Sequence, residues 1–241
     1  MALPLWAATG LLAPIVVVLP LHSLLQALSG DGGGAVAAEA ARSLDGWVFT
    51  VVYTGFGVQA LALGGLSALY VRDRWGHLLR GRLAGLPASS PTAPARRATA
   101  VAAAGAALLP MAAYLLWAAG ATAGLSPYQA ERNDGTFRLL AGLDGLSAAA
   151  AAAGVLLLAF HTGRAGRTRL RTAVALAWAA SAVLATRGGW TLLTGTFNEG
   201  VVDPSQQPTA LMTLVYAVEV LVGVLVLTAG AHLFAERSAG R

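Results

Sequence analysis

Apolar residues run almost unbroken through six segments of the chain: Leu3–Leu28, Trp47–Val71, Ala98–Ala123, Phe137–Phe160, Leu170–Leu193 and Thr209–Phe234. Each reaches the roughly 20 residues that a helix needs to cross a bilayer. In hydrocarbon the backbone has to satisfy its own polar groups, so each segment is expected to be helical. The pattern predicts an all-α membrane protein, a single six-transmembrane-helix bundle over residues 1–241. The first segment lacks the basic residue that opens a secretory signal. It is read as a retained span despite the small-x-small sequence Ala35-Val36-Ala37.

Charge placement orients the bundle. Arg72, Arg74, Arg80, Arg82, Arg96 and Arg97 fall in the second loop and Arg164, Arg167, Arg169 and Arg171 in the fourth, while Arg237 and Arg241 lie in the tail. The alternate loops hold Asp31, Glu39, Asp45, Glu131, Asp134, Glu199 and Asp203 with only Arg42, Arg132 and Arg138. Positive charge stays on the cytoplasmic side, which predicts cytoplasmic N- and C-termini and a multi-pass protein of the cell (inner, cytoplasmic) membrane. Trp47, Trp117 and Trp190 suit an outer interfacial belt and Trp6 an inner one, whereas Trp178 falls deeper and calls for a packing partner.

Composition agrees with this reading and removes other classes. Charged residues make up 11% and hydrophobic residues 56%, with a mean hydropathy of +0.66. Soluble domains carry about a quarter charged residues. The net charge of +5 does not indicate a nucleic-acid partner, because the Arg residues sit in loops where orientation signals belong. With no Cys, disulfides, thiolate metal sites and cysteine nucleophiles are excluded. No phosphate-binding, hydrolase-elbow or zinc-protease motif occurs in a usable context.

Several local features carry their own expectations. The Ala-rich tract Ser147–Gly154 is a close-packing face, where small side chains let helices approach. Gln59, among Gly55, Gly57, Gly64 and Gly65, is expected to bridge to a neighbouring helix, the same glycines alternatively allowing local unwinding beside a substrate. Trp75–Arg80 is expected to form a short amphipathic helix on the membrane surface, followed by a Pro/Ser-rich linker from Pro87 to Pro94. Gly30, Gly120 and Gly195 read as helix ends.

The candidate chemistry lies in ionisable residues inside the spans: His22, Asp144, Arg187 and Glu219. Such residues are costly in lipid and face the bundle interior, where they find partners. At about 1.5 Å per residue, all four fall in the outer half of the bilayer. Gln26 shares a face with His22, Ser147 with Asp144, Thr191 with Arg187, and Tyr216 with Glu219, while Tyr53 and Tyr114 lie at matching depth. The expectation is an outward-facing polar pocket of His22, Gln26, Asp144, Arg187, Glu219, Tyr216 and Thr191, built around Arg187. The competing role for these residues is structural pinning of three helices by charge-assisted hydrogen bonds.

His161 and His232 at inner helix ends do not supply the two His pairs of a two-haem cytochrome, and no cofactor or metal is expected. The best reading is a small-ligand-binding or transport-associated membrane component. Its partners would be the lipid bilayer and either a protein subunit or further copies of the chain. Six spans with a basic cytoplasmic loop also resemble the general plan of permease subunits of ABC-type exporters. That resemblance is topological and lacks the interfacial helix that usually precedes the first span. The same residues would also suit a membrane-embedded enzyme for lipid or isoprenoid substrates, with Asp144, His22 or Glu219 as acid or base. A purely structural assembly subunit would need no site at all.

Overall fold

The computed structural model describes residues 4–11, 46–77, 79–85, 91–160, 165–197 and 203–239. Among these every long element is a helix: α1 (residues 4–11), α2 (Gly46–Trp75), α3 (Ala93–Ala118), the short α4 (Pro127–Glu131), α5 (Gly135–Ala159), α6 (Leu170–Phe197) and α7 (Ala210–Ala239). The all-α class expected from the apolar segments is therefore present.

Three of these helices, over Ala93–Ala118, Gly135–Ala159 and Ala210–Arg237, are long and apolar enough to cross a membrane, and they suggest a membrane protein. Six such spans were expected, so the count is lower among the described residues. The structure describes only residues 4–11 of the first expected span. The fifth forms α6, 28 residues long, in which Arg171, Arg187 and the Gly188-Gly189 pair dilute the apolar run. The second forms α2, 30 residues long, several of whose side chains, Tyr53 and Phe56 among them, lie outside the described residues.

Helices α3, α5, α6 and α7 pack in a ring, each against its two neighbours and each antiparallel to the next. Connections of modest length impose that arrangement. Ala100, Ala103 and Ala107 of α3 meet Ala148, Ala151 and Val155 of α5, Ala173, Ala177 and Leu184 of α6, and Val222, Val226 and Leu233 of α7. These positions recur every three or four residues, which places them on one face of each helix. The Ala-rich tract thus packs as expected. At Gly154 an added Cβ would stand 2.7 Å from the backbone nitrogen of Ala177, so α5 and α6 touch there through main chain. The outward faces carry Leu108, Leu116, Leu146, Leu214, Leu221 and Val224 in the open, a surface suited to lipid rather than water.

Helix ends follow local chemistry. Ser126 and Asp134 cap α4 and α5 by accepting hydrogen bonds from the Gln129 and Phe137 amides. The third segment was expected to run to Ala123, but α3 stops at Ala118 because Gly120 takes φ +98°. The Gly120 amide then donates to the Trp117 carbonyl and the Ala121 amide to the Leu116 carbonyl, each at 3.0 Å. This is the Schellman closure that a left-handed glycine allows. Gly195, in contrast, lies inside α6 and ends nothing.

Two elements lie outside the ring. The α1 segment rests on α6: Trp6 donates its indole N–H to Ser181 Oγ at 3.1 Å, and Trp178 donates to Thr9 Oγ1 at 3.3 Å. That pairing supplies the partner Trp178 lacked. Helix α2 stands largely exposed, with Val58, Leu61, Leu66 and Leu69 in the open. It meets α7 through Trp75, whose ring centroid lies 6.4 Å from that of Phe234. Gln59 is exposed and Gly55, Gly64 and Gly65 face open space, so the expected bridge is not made among the described residues. Beyond Trp75 the chain turns rather than forming the expected surface helix. The described part of the linker begins at Pro91, and α3 already starts at Ala93, with proline in its first turn.

The two Arg-rich loops lie at one end of the ring, hereafter the basic end, and their backbones pair. Arg82 and Arg169 form an antiparallel bridge, flanked by Leu83 N–H to Thr168 O at 3.0 Å and Leu170 N–H to Gly81 O at 3.1 Å.

Candidate functional site

In the half of the ring farther from the basic end, each of the four helices contributes a polar side chain to one cluster. Asp144 comes from α5, Arg187 from α6, Tyr216 and Glu219 from α7, and Tyr114 from α3. The Arg187 Nη1 atom lies 2.5 Å from Asp144 Oδ2 and 3.8 Å from Glu219 Oε1. Its guanidinium carbon sits 4.6 Å from the centroid of the Tyr114 ring, a cation–π contact. Tyr114 is itself held edge-on by Trp117 at 5.2 Å, and its hydroxyl faces Glu219.

Burial is uneven across the cluster. The Glu219 side chain is fully buried, whereas Asp144 retains 19% exposure and Arg187 31%. Neither Glu219 oxygen has a hydrogen-bond partner among the described residues. Gly188 makes its position available: an added Cβ would lie 2.9 Å from Glu219 Cβ and 3.0 Å from Oε2. With all three groups ionised, two carboxylates and one guanidinium leave the cluster with one net negative charge.

Beside the partly exposed pair Asp144–Arg187 lies a cavity of about 630 Å³. This falls within the roughly 300–1,000 Å³ of small-molecule sites. Phe137, Leu140 and Leu143 of α5, together with Leu125, supply apolar wall, while Tyr216 and Gln129 add polar groups at the α4 side. The Arg187 donors and the Asp144 carboxylate therefore share a cavity that is otherwise mostly apolar.

The site residues expected from sequence separate into three groups. Asp144, Arg187, Glu219 and Tyr216 converge, with Tyr114 at the depth assigned to it. Thr191 is one turn away, donating to the Arg187 carbonyl at 2.8 Å, and does not line the cavity. His22 and Gln26 lie outside the described residues, as do His161 and the Tyr53 side chain. Ser147 lines the cavity while bonding the Leu143 carbonyl at 2.9 Å. Trp117, expected in the interfacial belt, is buried and donates to the Ala123 carbonyl at 3.0 Å.

Sequence reasoning missed a second buried charge pair, at the basic end. Arg96, counted there as a loop charge, is fully buried; it donates to the Leu158 carbonyl at 2.9 Å and stands 3.6 Å from Glu236 Oε1. Thr92 also donates to Glu236 Oε1, at 2.6 Å. The signal was present in the spacing. Arg96 falls in register with buried Ala93, Ala100 and Ala103, and Glu236 with Ala229 and Leu233.

Among the described residues, no group of three or more His, Asp or Glu side chains converges as a metal site would require. No family model matches the chain, and no curated protein or solved structure matches it either.

Proposed function

We propose that the chain is a multi-pass membrane protein that binds a small amphipathic ligand in the cavity beside Arg187 and Asp144. The observation that carries this reading is the unequal exposure of the cluster. Glu219 is sealed within the helices, while Arg187 and Asp144 keep part of their surface toward the 630 Å³ cavity. A ligand with a donor and an acceptor at one end would pair with both, leaving its apolar portion against Phe137, Leu140 and Leu143.

The reading includes six spans, both termini in the cytoplasm, and the cavity on the outer side of the cell membrane. Its support is the collection of Arg residues at the opposite end of the ring. Between the cavity and that end, the ring is filled by the alanine, valine and leucine side chains of the core. That favours a one-sided binding or transport-associated component over a complete permeation route.

The test is native mass spectrometry of the protein extracted with its own lipids, comparing the wild type with Asp144→Asn and Leu140→Trp. Leu140→Trp fills the cavity and leaves the charges in place. Loss of a bound small molecule from both folded variants supports the reading. Its retention in Leu140→Trp, or a wild type that carries no small molecule, overturns it.

A further inference from the structure

A second concavity lies between α2 and the α6–α7 side of the ring, opening at the basic end. Its volume is about 2070 Å³, twice the upper range of a drug-sized site. Its deeper wall is apolar, including Leu158, Val174, Val226, Leu227 and Phe234. Its mouth carries Arg72, Arg80, Arg82, Arg169 and Arg171, all exposed, against one acid, Asp73.

The loop pairing makes this basic mouth more than a scattered run of charges. Arg82 and Arg169 lie directly opposite one another, with the ladder hydrogen bonds made by their neighbours on either side. In that arrangement the two side chains are close and project to the same side. Directly opposed like charges repel, and neither guanidinium forms an ion pair among the described residues. An anion between them would remove the repulsion and match the forked donors that guanidinium groups present to phosphate. Trp75 and Tyr70 stack edge-on at 5.9 Å at the same end, where interfacial aromatics belong.

We propose that this groove is a binding site for an anionic phospholipid, its phosphate between Arg82 and Arg169 and its acyl chains along the apolar wall. The two faces of the groove match the two halves of such a molecule. A zwitterionic lipid offers the same chains without the net charge, and free phosphate offers the charge without the chains. Its basic mouth lies at the opposite end of the ring from Arg187, although Ala179 borders both cavities, and the phosphate seat does not depend on the Arg187 cluster.

Trp75 and Trp178 both line the groove and report on it directly. The full-length protein in mild detergent is titrated with phosphatidylglycerol brominated on its acyl chains, and tryptophan quenching is followed. Brominated phosphatidylcholine and inorganic phosphate serve as comparisons. Saturable quenching by phosphatidylglycerol is expected, preferred over phosphatidylcholine, weakened by salt, and largely lost in Trp75→Phe/Trp178→Phe. At roughly 1 kcal/mol per basic residue near an anionic surface, Arg82→Gln/Arg169→Gln should bind about 30-fold more weakly. Arg132→Gln/Arg138→Gln, exposed at the other end, should bind as the wild type does.

Equal quenching by the two lipids overturns the proposal, as does undiminished affinity in a folded Arg82→Gln/Arg169→Gln protein. If inorganic phosphate displaces the lipid at comparable concentration, the site is a phosphate site and the lipid assignment fails. Should the paired-Arg variant not fold, the wild-type lipid preference and its salt dependence still decide the matter.

Discussion

Arg187 stands between Asp144 and Glu219, and those two carboxylates belong to α5 and α7, helices at opposite corners of the ring. One guanidinium thus braces a diagonal that apolar packing spans only weakly. Removing it strands two acids in a poorly hydrated interior. Breaking a buried pair from one side costs about 3–5 kcal/mol. Arg187→Met is expected to lower stability by about that amount, and Arg187→Met/Asp144→Asn/Glu219→Gln to recover much of it. Thermal unfolding in detergent distinguishes the two. If the triple variant is no more stable than the single one, the brace is not electrostatic.

Gly188 and Gly105 should respond to alanine with opposite signs. Alanine favours a helix over glycine by about 1 kcal/mol. At Gly188 the new Cβ meets Glu219 and the Tyr216 carbonyl, while at Gly105 nothing lies within 4 Å. Overpacking costs about 1–3 kcal/mol, so Gly188→Ala should destabilise and Gly105→Ala should stabilise slightly. Parallel melting curves for the two variants check the pair, and stabilisation by both would remove the close α6–α7 approach.

The Arg96 site should distinguish arginine from lysine. Arg96 reaches the Leu158 carbonyl and Glu236 together, using donors that fork in a plane. Lysine has a compact head on a flexible stem and does not reproduce that geometry. Arg96→Lys is therefore expected to keep the charge yet lose about 1–3 kcal/mol, the cost of leaving buried acceptors unsatisfied. A Lys variant as stable as wild type would show that charge alone suffices.

Trp6–Ser181 and Trp178–Thr9 hold α1 on α6 through two side-chain hydrogen bonds. Polar contacts between membrane helices average about 0.6 kcal/mol in double-mutant cycles. A cycle on Trp6→Phe and Ser181→Ala should return a coupling of about that size. A coupling of zero would mean that indole packing alone seats α1.

Outside the spans, Asp203 accepts a hydrogen bond from the Ser205 amide at 2.8 Å, which holds its carboxyl below the usual range. A depressed folded-state value means that its contribution is fully present above the ordinary Asp value of about 3.9 and is lost as pH falls through the lower one. The Ser205 amide resonance should shift in that acidic window and stay constant at neutral pH. In Asp203→Ala the shift should vanish.

How legible these features were depended on the kind of signal. The long apolar runs announced α3, α5 and α7 within a few residues, because helix formation in hydrocarbon needs little more than length. Asp144, Arg187 and Glu219 stood out by their rarity in such runs, and depth arithmetic placed all three in the same half of the bilayer, Glu219 deeper than the others. The end of α3 was misplaced because Gly120 outweighs the apolar residues after it. Trp117 was assigned to an interface by residue type, whereas its indole N–H found a carbonyl inside. A pocket at Arg187 was expected but its lining was not: Gln129 and Leu125 reach it from a connector whose path no periodicity encodes. Arg96 was hidden among basic loop residues, and only the three-and-four spacing of its alanine neighbours marks it as interior.

That Arg96 pairs with Glu236 also sets an order on biogenesis. Arg96 opens the ring in chain order, and Glu236 is synthesised only after α3, α5 and α6 are complete. Until α7 arrives, α3 and α5 can associate through their alanines, but Arg96 has no carboxylate and the basic end stays open. A chain lacking α7 therefore carries Arg96 without its carboxylate, and the cost of that uncompensated charge opposes a stable partial ring. The helix that closes the ring is thus also the one that neutralises its interior charge.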